Sequence, residues 1–220
     1  MSQKTVLVVG ANCPLGLNII KANLNEGNKV IATSRNIKNN INKKNLNWLH
    51  FDPLENNSLD KLLIDLEKFN IFSVNYLSAI RDSEASNPEE VFGICLLNYL
   101  AIKENLSLKM SINEGGRFLS FSSSGTKYGG GKGKQFYALS KQCLEVFTSY
   151  DKALAKDNVL VNTIRVGVLS SVKDVNPNRI KLIPTNSPVN IDEISKMSIL
   201  LNSVNNKSIT CSVIPITGGE

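Results

Sequence analysis

At 220 residues, 42% hydrophobic and 20% charged, the chain has the size and make-up of an ordinary globular protein able to bury a substantial core. Its net charge of +6 comes from bases interleaved with acids and lacks the aromatic interleaving of a nucleic-acid patch, so nucleic acid is not an expected partner. One histidine, His50, and four dispersed cysteines with no C-x-x-C pair exclude a multi-histidine metal centre and argue against a zinc site or a disulfide framework.

The first strand is predicted at Thr5–Val9. It leaves no room ahead of it for a secretory signal, and no apolar run approaches the roughly 20 residues of a membrane span. The expected location is therefore the cytoplasm, with no membrane partner. Apolar, β-branched runs then alternate with segments of helical period. Further strands are predicted at Val30–Thr33, Trp48–Phe51, Ile71–Leu77, Arg117–Phe121, Val159–Arg165 and Ser212–Ile216. Helices are predicted at about Leu15–Glu26, Ser58–Lys68, Glu89–Ser111, Phe136–Ala155 and Asp192–Ser203, the last opened by Asn190 as a cap with Glu193 as its partner. This alternation predicts an α/β fold, a mostly parallel seven-stranded sheet between two helical layers. No linker or repeat divides residues 1–220, so a single domain is expected. The Pro- and Asn-rich stretch at about 170–190 is its longest aperiodic segment, expected to be a short substrate-side loop.

The first strand runs into Gly10-Ala11-Asn12-Cys13-Pro14-Leu15-Gly16. Glycines at such a turn let the backbone approach a dinucleotide's pyrophosphate at a helix N-terminus. Gly10 and Gly16 are in place, but Cys13 and Pro14 stand where a central glycine would lie. At the end of the second strand, Ser34-Arg35 replaces the acid that would hold adenosine ribose hydroxyls. Arg35, helped by Lys38, can instead pair with a 2′-phosphate, which favours NADP(H) over NAD(H); the alternative is a surface arginine. Tyr137-Ala138-Leu139-Ser140-Lys141 puts a phenol and an ammonium on one helix face. A free phenol titrates near about pH 10, and a neighbouring cation is expected to lower that value. Upstream, Gly116 to Phe121 is a strand ending in Ser122-Ser123-Ser124, hydroxyls at the end where ligands gather in parallel sheets.

In these motifs, their order and their separations the chain resembles the short-chain dehydrogenase/reductase family over nearly its full length. The resemblance implies a doubly wound Rossmann fold and hydride transfer between a nicotinamide and a small carbonyl or alcohol substrate. Tyr137 would be acid/base, and Lys141 would hold the nicotinamide ribose. Ser123 or Ser124 would polarise the carbonyl: a count back from the tyrosine gives Ser124, a count from the strand start Ser123, which is preferred. Asn98 would be the family's catalytic asparagine. Asp52-Pro53 would contact the adenine, and Gly167-Val168 would lie along the nicotinamide. Of the family's Asn-Asn-Ala-Gly, only Ala79 is kept in Leu77-Ser78-Ala79-Ile80. That change, the missing central glycine and Val166 before Gly167 all bear on cofactor binding rather than proton transfer. A homodimer or homotetramer through the two long helices is also implied.

Three rivals stand beside this reading. A Ser-His-Asp triad would have to use His50. An epimerase or dehydratase of nucleotide sugars would need a further substrate domain for which the chain has no room. A non-catalytic NADP sensor or scaffold fits the altered cofactor motifs, but not the retained phenol–ammonium pair. The basic run Lys127 to Lys134 suits either an anionic substrate or a solvated loop, and by itself names no substrate.

Overall fold

The computed structural model describes residues 3–37, 44–113, 115–172, 175 and 177–220. Seven strands, β1 (Thr5–Val9), β2 (Lys29–Ser34), β3 (Leu46–His50), β4 (Ile71–Tyr76), β5 (Gly116–Ser123), β6 (Val159–Val166) and β7 (Ser212–Ile216), form one sheet in the order β3-β2-β1-β4-β5-β6-β7. Every neighbouring pair is parallel, so the expected "mostly parallel" sheet is wholly parallel. The chain winds outward one way to β3, returns to β4, and winds the other way to β7. The reversal leaves a crevice over the carboxyl ends of β1 and β4, where ligands bind in open α/β sheets.

The sheet is covered on both faces because its strands are apolar on both. Alternate residues of β1 diverge: Leu7 and Val9 join a core with Leu62, Leu66, Tyr99, Ile102 and Leu144. Val6 and Val8 join another with Leu15, Ile19, Ile194 and Leu201. The first core lies under α2 (Ser58–Leu66), α4 (Asn98–Ile112) and α5 (Gln135–Tyr150), the second under α1 (Pro14–Asn25) and α7 (Ile191–Leu201). A two-residue period in the strand thus feeds two helical layers.

Two long helices depart from expectation. The run expected at Glu89–Ser111 opens with α3 (Pro88–Phe92), capped by Asn87, then widens into a π-helical turn at Gly93–Leu97 before α4. The run expected to reach Ala155 ends at Tyr150, and a 3-10 segment, Asp151–Asp157, carries the chain to Asn158 at φ 57°. Asn190 caps α7 by accepting from the Asp192 N–H at 2.9 Å. The 170–190 segment holds a short helix, α6 (Pro177–Ile180), and is anchored by a bridge between Leu169 and Val189; Lys173, Asp174 and Asn176 lie outside the described residues.

The helical run Pro88–Ile112, of 25 residues, is long and apolar enough to cross a bilayer by length and composition, which the sequence reading did not foresee. Val91, Ile94, Tyr99, Ile102, Leu106 and Met110 are buried in the interior, and Lys103 is ion-paired with Asp151 on α4's flank. One face of the run packs into the interior against the sheet, and the other carries exposed Leu97, Leu108 and Ile112.

Candidate active site

Each glycine of the first turn is required by its surroundings. Gly10 has φ 73°, and a Cβ there would meet the Ser78 backbone nitrogen at 2.7 Å. A Cβ on Gly16 would lie 2.5 Å from the Ala11 carbonyl oxygen, so this glycine lets α1 lie close against the strand end. Between them Cys13 is extended and caps α1, its Sγ accepting from the Gly16 N–H at 3.3 Å, with Pro14 opening the helix. Burial pushes the Cys13 thiol up, against the opposing pull of the Gly16 and Leu15 N–H groups. At neutral pH an uncharged sulfur therefore engages donors that a phosphate would otherwise use.

Around this turn a cleft of about 580 Å³ is lined by Gly10, Asn12, Cys13, Ser34, Arg35 and Pro53, among others. A second, of about 550 Å³, is lined by Leu15, Ser123, Tyr137, Lys141, Gly167 and Val168, among others. Cys13, Leu77 and Ala79 line both, so the two form a continuous trough over the carboxyl ends of the strands. A trough of two such clefts, joined at Cys13, Leu77 and Ala79 with Gly10 on the wall of the first, has room for the two halves of a dinucleotide.

Some candidates stand apart from it. Pro14, Gly16 and Asp52 line neither cleft. Asp52 is taken up in its own turn, Oδ1 accepting from the Leu54 N–H at 3.0 Å. Ser34 exchanges hydrogen bonds with the Asn36 backbone, and Arg35 is exposed on the wall. Lys38 lies outside the described residues.

The second cleft gathers the hydroxyls and the ammonium. Tyr137 stands in the first turn of α5, on a helix whose capping residue, Lys134, offers no side-chain acceptor. Asp82, from the loop after β4, supplies it: its carboxylate accepts from the Tyr137 N–H at 2.7 Å and the Phe136 N–H at 3.0 Å. A charged cap at a helix N-terminus satisfies orphan donors and suits the helix dipole.

Burial raises the Tyr137 phenol above its ordinary value, and nearby Cys95 adds to that. A hydrogen bond with Ser123 and the charge of Arg81 pull the other way. Ser123 thus faces the phenol, whereas Ser124 donates to Glu220 at 3.2 Å. Lys141, 2% exposed, has its Nζ 5.9 Å from the centre of the Tyr137 ring, and burial pushes its ammonium down. The expected lowering of the phenol by Lys141 is corrected here: the ammonium lies over the ring, both groups are desolvated, and desolvation wins.

Asn98, expected as the catalytic asparagine by resemblance, directly follows the π turn and opens α4. It lines neither cleft, and its side chain makes no hydrogen bond to another described residue. The π turn before it shifts the helical phase and turns Cys95 inward. Cys95 packs with Ile80, Ile94 and Tyr137, and its Sγ exchanges weak hydrogen bonds with the Ile80 backbone at 3.4 and 3.5 Å. Only Gly93 within an otherwise helical run could have signalled that break. Asp82 gave no signal, because its partner lies 55 residues away. His50 ends β3 at the far edge of the sheet, 3.8 Å from Glu55 and remote from Ser123 at the end of β5, so no triad forms.

No family model matches the sequence, and no curated protein does. Solved structures do match. A short chain dehydrogenase family protein from Francisella tularensis subsp. tularensis SCHU S4 superposes at TM-score 0.85 with 18% identity, over 99% of this chain and 98% of the other. An oxidoreductase of the short chain dehydrogenase/reductase family from Burkholderia thailandensis gives 0.86 with 16% identity, over 100% and 93%. A variant of actinorhodin polyketide ketoreductase with NADPH gives 0.83 with 17% identity, over 99% and 97%. Identities this low speak to architecture, and on architecture the agreement covers nearly every residue: the chain has the fold of the short-chain dehydrogenase/reductase proteins.

Proposed function

We propose that the chain is a nicotinamide-dependent oxidoreductase that interconverts a small carbonyl compound and its alcohol, with Tyr137 as the acid/base and NADP(H) favoured over NAD(H). The observation that carries this is the meeting of Tyr137, Ser123 and Lys141 in the second cleft of the trough. The cofactor would supply or accept the hydride. The Gly10–Gly16 turn would face its pyrophosphate, Arg35 its 2′-phosphate, and Gly167 and Val168 its nicotinamide end. Lys141, buried and without an ion-pair partner among the described residues, is free to bind ribose hydroxyls. That NADPH accompanies a ketoreductase of this fold supports the assignment.

The chain's own groups do the proton work. With its pKa raised, Tyr137 is a neutral phenol at pH 7 and gives its proton to the carbonyl oxygen in reduction, while the Ser123 hydroxyl polarises that oxygen. Oxidation needs the phenolate and is expected only at alkaline pH. Free Cys13, Cys95, Cys143 and Cys211 support a reducing compartment such as the cytoplasm. Exposed apolar side chains on α4 and α5 support pairing with a second copy.

Cys13 seated on the Gly16 N–H favours one alternative, an NADP sensor without turnover. Fluorescence titration with NADPH and NADH, followed by a screen of small carbonyl compounds, separates the two readings. Enzyme action predicts NADPH binding with turnover, and a Tyr137→Phe variant that binds NADPH normally but loses at least about 100-fold in kcat. Unchanged turnover in that variant ends the tyrosine mechanism, and NADPH binding with no turnover in the wild type leaves the sensor.

A further inference from the structure

The charged groups around the second cleft are one-sided, and they come from three separate elements. Arg81 lies on the loop after β4, Lys134 caps α5 three residues before Tyr137, and Arg179 stands on α6. All three line the cleft together with Lys141, and no carboxylate does so among the described residues. Of the nearby acids, Glu84 lines the first cleft and not the second, and the others are held by partners of their own. Asp82 holds the first N–H groups of α5, Glu145 is paired with Arg165 and Ser122, and Glu220 is paired with Arg179 and Ser124. Arg179 is thereby largely neutralised, which leaves Arg81 and Lys134, both exposed and without an ion-pair partner among the described residues, as the open cations beside the phenol. Arg81 is close enough for its charge to lower the Tyr137 phenol.

These cations stand apart from the cleft assigned to the adenosine half of the dinucleotide. Its 2′-phosphate is matched by Arg35 in the first cleft, and Arg81 and Lys134 line only the second. Beside the serines, the second cleft has an apolar stretch of wall made by Phe121, Val166, Leu169 and Val172. A ligand suited to it has a hydrocarbon body for that wall and anionic oxygens for the rim.

Resting on the oxidoreductase reading, we propose that the substrate is an anionic hydroxy or oxo compound, its carboxylate or phosphate held by Arg81 and Lys134 while its carbonyl or hydroxyl meets Tyr137 and Ser123. Exposed cations act weakly one at a time and are screened by salt, but two converging on one anion give charge-assisted hydrogen bonds and a field that concentrates it.

Titration calorimetry on the NADP-loaded protein tests this with three probes: 3-hydroxybutanoate, its neutral methyl ester and glycerol 3-phosphate. At least one anion is expected to bind about tenfold or more tightly than the ester, and to lose that advantage as ionic strength rises. Which anion gains decides between carboxylate and phosphate. An Arg81→Ala/Lys134→Ala double variant, checked by retained NADPH binding, is expected to bring the favoured anion down to the ester's affinity. An ester bound as tightly as both anions, an anion advantage insensitive to salt or to the double variant, or no probe bound to NADP-loaded protein each overturns the anionic class and leaves the oxidoreductase reading standing. Failure of NADP(H) itself to bind overturns the oxidoreductase reading, and the present proposal with it.

Discussion

Burial works against charge at both Tyr137 and Lys141. The phenol is raised and the ammonium lowered, both chiefly by burial, so the folded state resists charge on either. The consequences for stability have opposite signs in adjacent windows of pH. Between the depressed value of Lys141 and the ordinary 10.5, the unfolded chain binds more protons than the folded one, and stability rises with pH. Above the ordinary phenol value of 10.0, the unfolded chain releases protons that buried Tyr137, Tyr76 and Tyr99 retain, and stability falls. Lys141→Met removes the first effect and leaves the second. Urea titrations across alkaline pH are expected to show a rising limb in the wild type and a flat one in the variant. At pH 7 the variant should melt higher, by roughly 2–4 °C for each 1 kcal/mol of relieved desolvation, while losing turnover. A variant that melts lower would mean that the buried ammonium is fully compensated by partners.

At the scale of elements, helix α5 and the loop after β4 form one device. Strand β4 brings Asp82 to the N–H groups of Phe136 and Tyr137, so the loop that walls the trough through Ala79 also fixes the helix that carries the phenol. Asp82→Ala leaves two helix-end donors without their acceptor and is expected to cost about 1–2 kcal/mol in chemical denaturation. It should also depress kcat more than KM, because the phenol is displaced while the trough remains. Asp82→Asn keeps one acceptor and is expected to recover much of both losses; equal damage from the two variants would mean that charge, not capping, matters. Such a link explains which parts of the molecule the sequence discloses. The first strand is legible because both its faces are buried and Val6 to Val9 are apolar without interruption. Tyr137 and Lys141 are legible because their spacing is local. Asp82, the inward turn of Cys95 and the commitment of Ser124 to Glu220 are not, since each depends on a partner from another part of the chain or on a shift of helical phase. The serine choice shows the same limit: counting leaves Ser123 and Ser124 open, and only the direction each faces distinguishes them.

For the whole molecule, the two long helices raise the question of what covers them. Leu139, Val146 and Tyr150 on α5 are spaced by seven and four residues, which puts them on one helix face, and all are exposed, Tyr150 at 72%. Leu97 and Leu108 on the neighbouring helical run are eleven apart and exposed as well. Exposed apolar side chains repeated along one helix face invite a partner surface. A second copy is the simplest cover, since a twofold axis lets one patch meet itself. The inward face of α5 carries Tyr137 and Lys141, so pairing on the outward face would brace the helix that carries them from behind. Light scattering is expected to give twice the chain mass or a higher multiple of it. A Val146→Lys/Tyr150→Lys double variant places two cations on the outward face without touching the trough, and is expected to shift the mass to that of the monomer. If the brace matters, the monomeric variant should bind NADPH as before yet turn over more slowly, and its circular dichroism should remain that of the folded chain. A wild type that scatters as a single chain at every concentration would remove both the pairing and the brace.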